Sequence, residues 1–287
     1  MAKKTTTATE KEIERFHSWL ASEDPLGIAT HMYLDADAAF STALLSVLKP
    51  RAQVVYVSAD CEIEDARTLG VDLSKGSQTI KGLDVGSAFG LLVLGMKSID
   101  PPVYHALRSW ASQLNRTDSG KGCRDAVVLA ELVKAWRSLG MGDSGCFERA
   151  KELVEGKIRS ERSDQKQKEL AGNVNIKNGV AVISNGSKIR AAHIFNRGAK
   201  VLIRESENGH SIMISKKMIR KGITLNELSP LLEPKGWFIH PEGFLACYGS
   251  VKAPKDHSES GFLLNEIESF ISTWILSHAK EGSIKVS

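Results

Sequence analysis

The sequence predicts an α/β protein made of a parallel-sheet N-terminal domain, a linker helix and a smaller α+β C-terminal domain. In the first half, short apolar segments alternate with helix-like segments, which is the pattern of βαβ units and of parallel strands. After a long polar helix at 144–171, closely spaced strand patterns follow instead. We therefore place the domain boundary within this helix, giving domains at 1–170 and 171–287.

The N-terminal elements begin with a helix over residues 9–22, in which apolar residues recur at helical spacing after Thr9 as a candidate N-cap. A strand at 26–30, a helix at 38–49 and a strand at 52–60 then form one βαβ unit. The other elements predicted in this domain are a strand ending near Asp72, a helix from Ser87, and helices at about 101–114, 124–139 and 144–171.

The C-terminal elements are mainly strands. We predict strands at 179–184, 199–206 and 210–217, with residues 207–209 as the turn of a hairpin between the last two. Residues 224–234 are predicted to be a helix, because Thr224 and a Glu three residues later match the capping-box pattern. A closing amphipathic helix is expected at 259–275.

The composition excludes several classes of protein. With 42% hydrophobic and 25% charged residues, the chain has the composition of a globular protein rather than a disordered or fibrous one. It contains no apolar run of about 18 residues, the length of a membrane span. Its N-terminal residues lack the apolar segment of a secretory signal, so we expect a cytoplasmic protein. The cysteines form no CxxC pair and are expected to be small buried residues: Cys61, Cys123, Cys146 and Cys247.

The charge is unevenly distributed. The net charge is +4, yet residues 187–222 contain nine basic and only two acidic residues, so the remainder is acidic on balance. This distribution suits a metal site in the N-terminal domain and an anionic ligand bound by the C-terminal domain. A basic face that is simply solvated would give the same pattern.

The segment His31-Met-Tyr-Leu-Asp35-Ala-Asp37 interrupts an apolar region at the point where a strand ends. In parallel sheets, ligands bind at the carboxyl ends of the strands. One imidazole and two carboxylates there predict a site for a divalent ion such as Mn²⁺ or Mg²⁺. Alternatively, Asp35 or Asp37 caps the helix that follows.

Residues 30–45, THMYLDADAAFSTALL, resemble the first motif of the DHH phosphoesterase superfamily, which includes RecJ-type exonucleases, nano-RNases, cyclic-dinucleotide phosphodiesterases and exopolyphosphatases. The resemblance implies a two-domain protein with a centre of usually two manganese ions. It implies metal ligation by His31, Asp35 and Asp37, with the same residues and Asp84 as catalytic residues.

Two further motifs match in part. GVDLSKG resembles the second family motif and points to Asp72 as a metal ligand, with Asp60 as its rival. LNRTDSGKG resembles the fourth motif and points to Asp118, although a simple Asp-Ser-Gly turn has the same composition.

The third motif, Asp-His-His, is not retained. Asp84 is present, but Val85 and Gly86 stand where the resemblance requires the two histidines. Either the number of metal ions is therefore smaller, or another residue substitutes. His105 is one such candidate, and a structural role on its predicted helix is the alternative.

In the C-terminal domain, residues 236–250 resemble the Gly-Gly-Gly-His loop that meets phosphate in DHH-associated domains. His240 and Gly243 fit this loop, whereas Trp237 and Phe238 replace small residues and either stack a base or belong to the core. The same correspondence implies three further residues that contact an anionic substrate: Arg204, Ser215 and Lys216.

Together these features predict a metal-dependent phosphoesterase, with Mn²⁺ or Mg²⁺ as cofactor, that hydrolyses a phosphodiester or phosphate ester of a nucleotide, short oligonucleotide or single-stranded nucleic acid. The main alternative is a catalytically degenerate relative that binds nucleotide or nucleic acid without turnover. A third reading is a changed reaction on an unrelated phosphorylated metabolite.

Overall fold

The computed structural model describes residues 7–23, 26–122, 125, 128–184 and 188–281 of the chain. The chain divides into two compact units, Met1–Ser163 and Asp164–Ser287. The division falls inside one continuous helix, Asp143–Gly172, the helix in which the sequence prediction placed the boundary near residue 170.

The first unit follows the predicted order of elements. Its strands are β1 (Gly27–His31), β2 (Gln53–Val57), β3 (Thr68–Val71) and β4 (Thr79–Ile80). Its helices are α1 (Ala8–Ala21), α2 (Ala36–Leu48), α3 (Ala88–Ile99), α4 (Pro101–Asp118), α5 (Leu129–Ser138) and α6 (Asp143–Gly172), the last continuing into the second unit. Residues 123–124 and 126–127, which include Cys123 and the start of the helix predicted at 124–139, lie outside the described residues.

The four strands form an entirely parallel sheet in the order β2-β1-β3-β4. The parallel N-terminal sheet predicted from the βαβ pattern is thus confirmed. Helix α2 is buried along eleven successive positions, from Ala36 to Ser46, because it lies in the middle of the unit's core. There the Phe40 ring makes edge contacts with Phe89 and Trp110.

The N-cap of helix α1 lies two residues earlier than predicted. Thr7, not Thr9, is the N-cap: its hydroxyl accepts from the Glu10 amide, and the Glu10 side chain accepts from the Thr7 amide. This is a complete capping box. The prediction of Thr9 as the cap was therefore wrong.

The second unit is built on one mixed sheet. Its strands are β5 (Ile176–Lys177), β6 (Val180–Ile183), β7 (Val201–Ser206), β8 (Gly209–Ile214), β9 (Phe238–Ile239) and β10 (Leu245–Tyr248). Its helices are α7 (Ala191–Asn196), α8 (Lys216–Ile219), α9 (Ser229–Leu232) and α10 (Leu264–Glu281). The order is β5-β6-β7-β8-β10-β9; β6 and β7 are parallel and the other pairs antiparallel. The predicted hairpin is β7–β8, so a separate α+β unit is confirmed.

The predicted helix at 224–234 is the main error in this unit. The structure has two short 3₁₀ turns with α9 between them, and the Thr224 side chain makes no capping hydrogen bond. The Glu227 carboxylate instead accepts from Trp274 Nε1 at 2.9 Å and lies 2.8 Å from His278 Nε2. The carboxylate that the capping box requires is thus hydrogen-bonded to side chains of α10.

Two further expectations concern burial and membranes. Cys146 is buried as expected, but Cys61 and Cys247 are partly exposed. Within the described part of the chain, no helix has the length and apolar character needed to cross a bilayer.

Candidate metal site

The carboxyl edge of the parallel sheet contains a topological switch point. Strand β1 has β2 on one side and β3 on the other, so the chain leaves β1 and β3 at a crevice between them. His31 is the last residue of β1, and Asp72 directly follows β3. Ligand sites of open parallel sheets form at such crevices.

Three of the predicted residues converge there. His31, Asp35 and Asp72 each offer one ligand atom, and these atoms all lie within 4.8 Å of one another. The distance from His31 Nε2 to Asp72 Oδ2 is 3.2 Å, and His31 Nδ1 lies 2.9 Å from the Met32 carbonyl oxygen. Among the described residues, this is the one group of three or more acidic, histidine or cysteine side chains with such spacing.

The pKa values of this group are shifted by the closeness of two carboxylates and one imidazole. The hydrogen bond to Asp72 raises the pKa of His31 to about 9. Burial raises the pKa of Asp35, and the charge of Asp72 adds to that shift. The pKa of Asp118, at the end of α4, is raised by burial and then by the charges of Asp72 and Asp35. Asp118, a predicted ligand, thus interacts electrostatically with both carboxylates but is not one of the three residues that converge.

The two aspartates of the first motif have different roles. Asp35 is the N-cap of α2, where its Oδ1 accepts from the Ala38 amide at 3.0 Å, and it also belongs to the convergent group. Asp37 is 3% exposed, and its two carboxylate oxygens accept from the amides of Ala88 and Phe89 at 2.7 and 2.8 Å. Burial raises the pKa of Asp37 well above its usual range. Its carboxylate thus binds the first turn of α3, and the structure does not bring it into the convergent group.

The remaining N-terminal candidates lie outside the group. The Asp60 carboxylate is exposed and accepts from the Ser58 hydroxyl at 2.5 Å, so Asp72 rather than its rival joins the site. Asp84 accepts from the Thr9 hydroxyl of α1 at 3.2 Å. His105 is exposed on α4 with its ring against Tyr104.

The segment that replaces the expected histidine pair is packed against α4. Gly86 has φ +113°, and a Cβ there would lie 2.8 Å from the Asn115 carbonyl oxygen. The Ser87 hydroxyl donates to Asn115 Oδ1 at 2.6 Å and accepts from the Gly90 amide at 2.9 Å. A Cβ at Gly90 would clash with the same Asn115 amide group. Position 86 therefore requires glycine, both for its backbone conformation and for lack of space.

Two residues that the sequence reasoning missed hold the loop between His31 and Asp35. The Asp143 carboxylate accepts from the amides of Tyr33 and Leu34 at 2.9 and 2.8 Å. The Arg137 guanidinium pairs with Asp143 and donates to the Leu34 carbonyl oxygen at 3.2 Å. Their contacts with the loop join residues more than a hundred positions apart, so no local sequence pattern indicates them.

In the second unit, one predicted residue is part of the core. Trp237 is 4% exposed, its Nε1 donates to the Ser260 carbonyl oxygen at 2.9 Å, and its ring contacts Tyr248 and Phe262. Because its faces are packed, Trp237 is part of the core, which is one of the two alternatives that the sequence left open. Its neighbour Phe238 is exposed.

The other predicted substrate residues of this unit lie on the sheet and its loops. Arg204 is half-buried in β7 and donates to the Ile189 carbonyl oxygen, while burial lowers its pKa. Ser215 is a buried residue at the start of α8, and Lys216 is exposed beside it. His240 Nδ1 accepts from the Glu242 amide at 3.2 Å. Gly243 has φ +66°, and a Cβ there would lie 2.6 Å from the Thr224 Cβ, so glycine is needed for packing.

The fold and the convergent side chains define the class as an α/β protein with an acidic donor set at a sheet switch point. One imidazole nitrogen and two carboxylates suit a single divalent ion such as Mn²⁺ or Mg²⁺. Asp118 is available as a further acidic group nearby.

No protein-family model matches the chain, and no curated protein matches it. Its fold is similar to that of RecJ from Thermus thermophilus in complex with Mg²⁺, at 13% identity, covering 95% of this chain and 53% of that chain, with a TM-score of 0.32. The Mn²⁺ complex of the same protein gives 13% identity, 95% and 56% coverage, and a TM-score of 0.32. The pGpG-specific phosphodiesterase PggH from Vibrio cholerae gives 12% identity, 88% and 99% coverage, and a TM-score of 0.34.

The chain thus spans about half the length of the Thermus RecJ structures it matches. At these identities the similarity concerns the fold alone.

Proposed function

We propose that the chain is a phosphoesterase that needs a divalent metal ion, Mn²⁺ or Mg²⁺, and acts on a phosphodiester or phosphate ester of a nucleotide or short oligonucleotide. The observation that carries this proposal is the convergence of His31, Asp35 and Asp72 at the sheet switch point. The resemblance of residues 30–45 to a phosphoesterase motif supports the reaction class.

In this proposal His31, Asp35 and Asp72 hold the ion, with Asp118 beside them. When bound, such an ion lowers the pKa of water and polarises a phosphoryl oxygen. The chain's own groups orient the donors: the Met32 carbonyl accepts from His31 Nδ1–H, which directs Nε2 toward the carboxylates. The Ala38 amide holds one oxygen of Asp35.

In the second unit, we propose fewer residues for substrate contact than the sequence predicted. Lys216 is an exposed cation, and Arg204 carries its charge at a half-buried position, so both suit a phosphate group. His240 remains a candidate for the same role. Trp237 is left out of the proposed contacts because it is 4% exposed.

A binding protein without turnover is the second candidate, and the packing at Gly86 favours it. The backbone and Asn115 leave no room for a histidine there, so the family's usual additional metal and phosphate ligands are missing from this segment. Both candidates require the ion; they differ in whether the bound ester is hydrolysed.

The test compares wild type with Asp72→Asn. Asp60→Asn is the matched control, because Asp60 is an exposed carboxylate that follows strand β2 of the same sheet. Mn²⁺ binding to the chelator-treated protein is measured by calorimetry. Hydrolysis is then assayed on dinucleotides, short RNA, single-stranded DNA and pyrophosphate.

We expect Asp72→Asn to lower Mn²⁺ affinity at least tenfold and to abolish hydrolysis, while Asp60→Asn resembles wild type. Nucleotide binding without turnover under either metal would support the binding protein instead. Wild type that binds neither Mn²⁺ nor Mg²⁺ would overturn both candidates.

A further inference from the structure

An exposed aromatic residue lies within the loop that carries the candidate metal ligands. Tyr33 is two residues from both His31 and Asp35, so its Cα is at most about 7 Å from theirs. It is 79% exposed, and the preceding Met32 is 57% exposed. Two large side chains therefore face solvent in the loop between two of the convergent residues, His31 and Asp35.

The backbone of Tyr33 is held in an unfavourable conformation. Its φ is 62°, in the left-handed region that a bulky side chain seldom adopts. The loop is kept there by Asp143, whose two oxygens accept from the amides of Tyr33 and Leu34. Strain of this kind persists where surrounding contacts enforce it, and it is concentrated at functional sites.

The ring of Tyr33 is also restrained. The Arg137 guanidinium carbon lies 4.7 Å from the ring centroid, and the same guanidinium is fixed by its pairing with Asp143. A cation thus covers one side of the ring, while most of the ring surface stays open to solvent. A residue needed only for packing would be buried, whereas this one is oriented and left uncovered.

We infer that Tyr33 is a stacking surface for the base of a nucleotide whose phosphate lies at His31, Asp35 and Asp72. The inference rests on the proposed function and adds its specificity: the substrate must carry a planar base next to the reacting phosphate. An aromatic ring stacks on any base, so this contact selects for nucleotides without reading their sequence. Arg137 and Asp143 hold the loop in place.

The experiment measures binding rather than turnover. Wild type is titrated in Ca²⁺ with a dinucleotide that contains the fluorescent base 2-aminopurine, and, by calorimetry, with the same backbone lacking the base. The variants are Tyr33→Phe, which keeps an aromatic ring, and Tyr33→Asn, which tolerates a left-handed φ but cannot stack. Val251→Asn is the matched control, because Val251 is an exposed apolar residue (83%) of the other unit.

We expect Tyr33→Asn to weaken binding of the base-carrying probe about tenfold, the order of a lost stacking contact. Its thermal midpoint should be unchanged or higher, since the backbone strain is relieved. Tyr33→Phe and Val251→Asn should bind as wild type does, and the abasic probe should bind equally to all four proteins.

Equal binding of the base-carrying probe to wild type and Tyr33→Asn would overturn the inference and leave the proposed function standing. An equal loss for both probes would also overturn it, because the effect would not depend on the base. Wild type that binds neither probe would instead contradict the proposed function, and the stacking role with it.

Discussion

The loop after β1 and the segment before α3 use their side chains in opposite ways. After β1, His31 and Asp35 converge with Asp72, so that their ligand atoms lie within 4.8 Å of one another. In residues 84–90, glycines and Ser87 pack the segment against Asn115. The comparison shows that glycine and serine in the second segment are there because of close packing. Whether a polar residue of the first segment is a ligand depends on whether its side chain converges with the others.

The largest effect is expected at Asp37, the aspartate of the first motif that lies outside the convergent group. Asp37→Ala leaves the buried amides of Ala88 and Phe89 without acceptors, which should lower the free energy of unfolding by about 3 kcal/mol. Urea unfolding of the metal-free protein measures it. Asp37→Asn, which keeps one acceptor, should lose roughly half as much. A loss below about 1 kcal/mol for Asp37→Ala would show that the carboxylate is free for another role.

The second prediction tests the packed segment. Gly86→His should destabilise the protein by about 2 kcal/mol, because a side chain at φ +113° is strained and its Cβ meets Asn115. Val85→His, at a neighbouring half-buried position, is the matched control and should cost less. Thermal unfolding and Mn²⁺ stoichiometry are the measurements. A stable Gly86→His protein that binds an additional ion would contradict the conclusion that position 86 requires glycine.

The third prediction uses pH. Since the folded pKa of His31 is raised to about 9 by its bond to Asp72, the pair stabilises the metal-free protein fully below the unfolded value near 6.5. This stability is lost as pH rises through about 9. With side chains 15% and 30% exposed, we expect a contribution of about 1–2 kcal/mol.

The measurement is the free energy of unfolding in urea, with a chelator present, between pH 6 and 10. In His31→Gln this free energy should fall less steeply as pH rises. Added Mn²⁺ should act in the opposite direction, because the ion must displace the imidazole proton and therefore binds more tightly as pH rises. An unchanged slope in His31→Gln would exclude the pair as its source.

The smallest effect on stability is expected at Asp35. Asp35→Ala removes one cap hydrogen bond of α2, at a cost of about 1 kcal/mol. Its Mn²⁺ affinity should nevertheless fall at least tenfold. Asp35 and Asp37 would then separate into a ligand and a structural cap. Equal effects of both substitutions on stability would blur that separation.

The sequence predicts most of this fold because local patterns determine it. The βαβ unit and the β7–β8 hairpin follow from apolar periodicity and from turn residues, and both are present. The predicted helix at 224–234 is absent as such because Glu227 bonds to α10, a contact that the local pattern does not contain.

The site shows the same limit. His31 and Asp72 could be found because each stands where a strand ends, and Asp35 because it lies in the loop that follows the first of these strands. Asp37 was placed with them because its partners, the first amides of α3, lie about fifty residues away. Arg137 and Asp143 were missed for the same reason, since only the folded chain brings them to the loop.

The contact between Gly86 and Asn115 determines which residues position 86 can hold. An imidazole at position 86 would require a different backbone turn and, at the same time, a shift of the α4 backbone, because a Cβ there would meet the carbonyl oxygen and Cα of Asn115. Neither change alone improves the site, and the first alone weakens the fold. A single substitution at position 86 therefore cannot add a metal-binding side chain to the site without disturbing the fold.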